Sequence, residues 1–324
     1  MSELDNLREA LSKISDIAGA AVRKAAGGNN YDHPDLADQG ICTPKSLPQH
    51  VQVRAAKTAT DVNPMNAPVF GFMPMDDTLA RLVSDPLQIA VLTSKYWGTA
   101  RRRLTVSFME STPADLRTRI LSHMNAWACG IQFVETSGTG QVRISRGDGG
   151  YWSYLGTDIL HIATQRQTMN LQGFTMGTPE SEFRRVIRHE TGHTLGFPHE
   201  HMRRELVARI DRQKAYDYFR RTQGWSQTMV DQQVLTPLDE RSIFATPADQ
   251  TSIMCYQLPG LITIDGRPIL GGTDINATDL AFAQRLYPPV GASMPSPDRA
   301  TAGESYAQSY QDDAEFVLEP ALVD

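Results

Sequence analysis

Residues 189–201 run His189-Glu190-Thr191-Gly192-His193-Thr194-Leu195-Gly196-Phe197-Pro198-His199-Glu200-His201 and hold four of the chain's eight histidines. His189 and His193 are four residues apart, so on a helix their imidazoles leave one face, one turn above the other. Neutral imidazoles placed in this way grip one Zn²⁺ at Zn–N distances of about 2.0–2.1 Å. Glu190 adjoins the first ligand and is offset enough to stay off the metal and reach a water bound to it. A third ligand six residues on has to swing back to the same ion, so the helix must stop. Gly196 can take the φ > 0 conformation that turns the chain, and Pro198 keeps the helix from resuming. His199 is then the third ligand, and the fourth position is left for water. From this composition, His-acid-x-x-His arises by chance in roughly 2 of 100 such chains, and the added Gly196 and His199 lower that to about 4 in 100,000.

The string H-E-x-x-H-x-x-G-x-x-H resembles the metzincin signature, whose second part is a methionine turn downstream. Ser252-Ile253-Met254-Cys255-Tyr256 matches that turn. Together with Gly196-Phe197-x-His199-Glu200, it resembles the astacin branch of these zinc metallopeptidases. The resemblance implies a zincin fold with an active-site helix and a Met-turn, one catalytic zinc, and endopeptidase activity on protein or peptide substrates. It gives Met254 the role of a hydrophobic floor under the metal. Tyr256 takes that of a swinging fifth ligand that stabilises the transition state, and Glu200 that of a buried polar link off the metal. The match is strong over 181–201 and 252–256 and extends over roughly 95–290. It has gaps: astacins usually carry four cysteines in two disulfides, whereas this chain has three cysteines in all. His201-Met202-Arg203-Arg204-Glu205-Leu206 replaces the usual Arg- and Asp-rich continuation, Cys255 stands where histidine is common, and the Phe-x-Gly-Asp latency motif is missing.

A chain of 324 residues suits one large domain or two smaller ones, and 40% hydrophobic with 21% charged residues is ordinary globular composition. Residues 291–324 hold seven acids against one base, Arg299, which accounts for the whole net charge of −6. The remainder is formally neutral, which argues against a nucleic-acid partner. No apolar run approaches the eighteen or so residues of a membrane span. Cys42, Cys129 and Cys255 cannot make a closed disulfide set, as fits a reducing compartment or one bridge with a thiol left over. Glu3 and Asp5 stand where a secretory signal needs positive charge, and Ala18–Val22 is too short for its apolar core. These features suggest a cytoplasmic location or export by a non-classical route, although astacins are typically secreted.

Three regions are expected: a helical and loop-rich segment over 1–90 with a pro- or regulatory character, a catalytic domain over 91–290, and a flexible acidic tail over 291–324. An amphipathic helix is expected over 3–25, ended by Gly27-Gly28-Asn29-Asn30, and a second around 49–60. Cys42 reads first as a free structural thiol. Its second reading is a latency ligand, because thiolate is a good zinc ligand and some metzincins are silenced by a pro-segment cysteine. From Leu104 the pattern becomes α+β, with a mixed twisted sheet. Strands are expected at 104–108, 131–135 and 141–146, with a helix capped by Thr112 that buries Leu116, Ile120, Met124 and Trp127. Gly147–Tyr154 reads as an aromatic turn used for packing, and Thr168–Phe174 as the edge strand that an extended peptide would pair with. Thr178 and Thr278 are candidate caps of the active-site helix and the last helix. The competing function is a catalytically silent zincin-fold binding protein whose zinc is structural, closed by Cys42 or Cys255 as fourth ligand.

Overall fold

The computed structural model describes residues 42–68, 93–239 and 247–289. The helix expected over 3–25 and the tail expected over 291–324 lie outside them. The chain runs α1 (Gln49–Val62), β1 (Arg102–Phe108), α2 (Ala114–Met124), β2 (Ile131–Glu135), β3 (Val142–Ser145), β4 (Tyr151–Ser153), β5 (Met169–Leu171), α3 (Arg188–Leu195), α4 (Arg204–Val207), α5 (Arg212–Gln223), α6 (Gln227–Val230) and α7 (Ala277–Leu286).

The strands form one sheet in the order β2-β1-β3-β5-β4, parallel except for β4, which pairs antiparallel to β5. This is the mixed α+β sheet that the sequence suggests. Leu104 and Val106 of β1 point into the core with no exposure, and all four residues of β3 are buried, as a central strand covered on both faces requires. Leu116, Ile120, Met124 and Trp127 pack behind the sheet with Phe183, Val186 and Ile187, which precede α3. A smaller second core gathers Leu206, Phe219, Val230, Val234, Leu258 and Ile269.

The sheet corrects one expectation. Residues 169–171 sit inside the sheet, between β3 and β4, so the edge strand on that side is Tyr151–Ser153, within the stretch read as a packing turn. Residues 43–45 cover that edge: Thr43 N–H donates to Tyr151 O at 3.1 Å and Lys45 N–H to Ser153 O at 3.3 Å, with Lys45 bridging Tyr154 in parallel. α1 then buries Ala55, Ala56 and Ala59 and packs on the 3-10 turn Gly156–His161.

The expected caps differ as well. Thr112 and Thr178 cap nothing: both helices begin after a proline, Pro113 and Pro179, without a side-chain cap. Asn276, not Thr278, caps α7, in a reciprocal box with Asp279. Residues 204–223 form two helices, α4 and α5, and Asp211 caps the latter by accepting from Lys214 N–H.

Candidate metal centre

α3 continues from Glu180 through a π-helical turn at Phe183–Ile187, the kind of local widening that recurs at functional sites. It ends at Gly196, whose φ of +100° takes the left-handed cap and whose N–H bonds back to His193 O. A Cβ there would be strained by that φ and would crowd Lys95 O and the Tyr96 ring at 3.1 Å. Pro198 follows, and the chain returns His199 to the face of His189 and His193.

His189 Nε2 and His199 Nε2 lie 3.1 Å apart, and His193 Nε2 and His199 Nε2 lie 3.0 Å apart. The outer nitrogens are occupied: His189 Nδ1 bonds Ile253 O at 2.6 Å and His193 Nδ1 bonds Phe197 O at 2.8 Å. Those carbonyls fix the tautomers with the protons on Nδ1, so two Nε2 lone pairs turn inward beside the third imidazole. One shared proton cannot satisfy three such nitrogens, whereas a cation bound by imidazole does, so the residues fit zinc. One ligand atom from each histidine and the Cys42 thiol all fall within 4.8 Å of one another. Cys42 Sγ also donates to Glu190 Oε2 at 3.4 Å.

The sequence model of a peptidase family, described as Astacin, matches residues 91–261. The chain belongs to the astacin family. Among solved structures, one of myroilysin is 29% identical with a TM-score of 0.56, covering 60% of this chain and 96% of that one. A second myroilysin structure, 30% identical with a TM-score of 0.47, covers 60% and 86%. High choriolytic enzyme 1, a hatching-enzyme zinc protease from Oryzias latipes (medaka), is 19% identical with a TM-score of 0.39, covering 56% and 87%. No curated protein sequence matches the chain.

As an astacin the chain is a zinc-dependent metallopeptidase, and the electrostatics of the site suit that chemistry. Burial lowers all three imidazoles, His189 to about 4 and His193 and His199 well below their usual range, so they are neutral as metal ligation requires. Burial raises Glu190 to about 8, partly opposed by the hydrogen bond from Cys42. Burial, then the Glu190 charge, raises the Cys42 thiol well above its usual value. A cation at the three nitrogens reverses both pushes by favouring the carboxylate and the thiolate.

Met254 lies beneath α3, its sulfur against Gly192, where a Cβ would collide with it and stand 3.0 Å from the Trp127 ring. Tyr256 is buried, with its ring 4.3 Å from that of His199. Glu200 accepts from Asp249 N–H at 3.1 Å and pairs with Arg203 at 3.3 Å, and burial raises it to about 7. Cys255 is buried and turns its thiol to Tyr256 O, away from the metal cluster. All three cysteines are free. Sequence reading missed His201, which packs against Tyr256 and His199 and whose only signal was its place beside the motif.

Proposed function

We propose that this astacin is an endopeptidase in which His189, His193 and His199 hold one catalytic zinc, Glu190 is the general base and Tyr256 the oxyanion donor. The observation that carries the reading is the convergence of three imidazole nitrogens at 3.0–3.1 Å with Glu190 buried beside them. Zinc, when bound, polarises the scissile carbonyl and lowers the pKa of water toward about 7. Glu190 takes a proton from the attacking water and hands it to the leaving amine. The Tyr256 hydroxyl donates to the oxygen that becomes negative, contributing about 2–4 kcal/mol if it matches other oxyanion donors. Met254 supplies the floor, Gly196 the bend, and Glu200 a polar tie to residue 249. A protein substrate lies extended along β4, with its backbone pairing as residues 43–45 do here.

On this reading residues 1–90 are a regulatory segment, 91–290 the catalytic unit and 291–324 an acidic appendage. Cys42 would keep the enzyme latent by offering its sulfur as a further ligand to the metal held by the three histidines, from a place where it also stands against Glu190. Glu190→Gln should keep zinc and abolish cleavage of casein or gelatin; wild-type turnover by that variant removes Glu190 from the role of base.

The same thiol favours a second reading, because three histidines and a cysteine are also a closed structural zinc site. Replacing Cys42 separates the two. Cys42→Ala gains peptidase activity if the thiol is a latency ligand. It loses zinc and stays silent if the ion is structural.

A further inference from the structure

We propose that His201 is a positioning residue for Tyr256, holding the tyrosine's backbone and the plane of its ring so that the hydroxyl can reach the reacting carbonyl. The inference rests on the oxyanion role given to Tyr256 above.

His201 is completely buried, and both its ring nitrogens are engaged. Nε2 bonds Gln233 O at 2.9 Å, and Nδ1 accepts the backbone N–H of Tyr256 at 3.4 Å. A carbonyl can only accept, so Nε2 carries the proton and Nδ1 presents its lone pair to the tyrosine. Gln233 lies in the last turn of the π-helical stretch Asp231–Leu235, where a carbonyl has no partner within the helix. The neighbouring bond from Leu238 N–H to Met202 O, 2.8 Å, ties that helix end to the segment carrying His201. The imidazole is therefore anchored in the second core, whose Val230, Val234 and Leu235 are buried in the same stretch.

The ring does the rest. His201 and Tyr256 lie 14° from parallel with centroids 4.1 Å apart, while His201 and His199 meet at 4.9 Å and 38°. A flat stack resists tilting yet lets one ring slide across the other at little cost in contact. A tyrosine that has to move its hydroxyl needs that freedom, and its N–H, held by Nδ1, supplies the fixed point. A merely space-filling residue would need neither the acceptor nor the anchored tautomer.

The test is a double-mutant cycle between His201→Phe, which keeps an aromatic face but loses both hydrogen bonds, and Tyr256→Phe, which removes the hydroxyl. It is run on the full-length chain in the Cys42→Ala background, with a fluorogenic peptide. Zinc content and binding of a phosphinic pseudopeptide are measured in parallel. The inference expects His201→Phe to lower kcat by at least about tenfold with KM within about twofold and zinc retained. The double variant should be no worse than Tyr256→Phe, and His201→Phe and Tyr256→Phe should weaken phosphinate binding alike. Additive losses, a change confined to KM, or wild-type turnover by His201→Phe overturns it. Should His201→Phe lose zinc, His201→Leu takes its place in the same cycle, losing both hydrogen bonds and the ring stack, and the same outcomes decide. If Tyr256→Phe alone turns over normally, the oxyanion role fails and the positioning role falls with it. A loss in Tyr256→Phe without one at His201 refutes the positioning role alone.

Discussion

Gly192 shows how closely the metal site is built. It sits between His189 and His193 on α3, with the Met254 sulfur and the Trp127 ring pressed against the space where a side chain would project. Methionine can shift, but the indole is locked in place, its Nε1–H donating to Arg188 O at 2.9 Å. Gly192→Ala should therefore push the helix off its floor. The expected loss is about 1–3 kcal/mol in urea unfolding, together with faster zinc release to a chelator. Unchanged stability and chelation kinetics would show that the floor carries no strain-sensitive contact. The three histidines were legible because their spacing is local, within one helix and one bend. Cys42 was legible only as chemistry, since it meets Glu190 across 148 residues of chain, a distance that no periodicity spans.

One carboxylate joins two elements. Asp279 starts α7 through its box with Asn276 and also accepts from Ser252 Oγ at 2.5 Å and Ile253 N–H at 2.9 Å, so the Met-turn hangs on the helix. Ile253 O in turn orients His189. Asp279→Ala leaves two donors of the turn without their acceptor and should cost about 2–3 kcal/mol, with weaker zinc retention. Chemical denaturation and zinc titration check this, and a variant that loses stability but binds zinc normally would uncouple the helix from the site. The sequence placed most helices and strands close to where they stand, because β1 and α2 carry clear apolar periods. It misplaced the caps, because Thr112 and Thr178, each before a proline, look like caps whether or not the hydroxyl meets an N–H, and Thr278 stands two residues past Asn276, which has the capping side chain. It also misjudged the sheet edge. Alternation says that 169–171 is a strand, but only the return of β4 outside β5 says which strand lies at the edge.

Across the whole molecule, residues 42–68 touch residues 93–239 at several places, and on the latency proposed above three of these would hold the segment over the site. Cys42 reaches the histidines, residues 43–45 fill the edge of β4, and Asn66 fastens the far end. Asn66 is buried: its amide donates to Ala59 O and Tyr96 O, both at 2.8 Å, and its oxygen accepts from Ser94 Oγ at 2.9 Å and Tyr96 N–H at 3.0 Å. Such a satisfied buried amide is worth more in place than any exposed ion pair of α1, such as Lys57 with Asp61. Cys42→Ala alone should therefore give partial activity, because the substrate must still displace a paired strand held by the distant anchor. Adding Asn66→Ala removes that anchor at a cost of about 2–4 kcal/mol. The double variant should cleave casein several-fold faster than Cys42→Ala, with a lower KM as the freed edge accepts substrate. Asn66→Ala alone should remain nearly silent, since the thiol still faces Glu190 and the histidines. Equal rates for Cys42→Ala and the double variant, in protein confirmed as folded by thermal melting, would mean that the thiol blocks the site by itself and the strand yields freely.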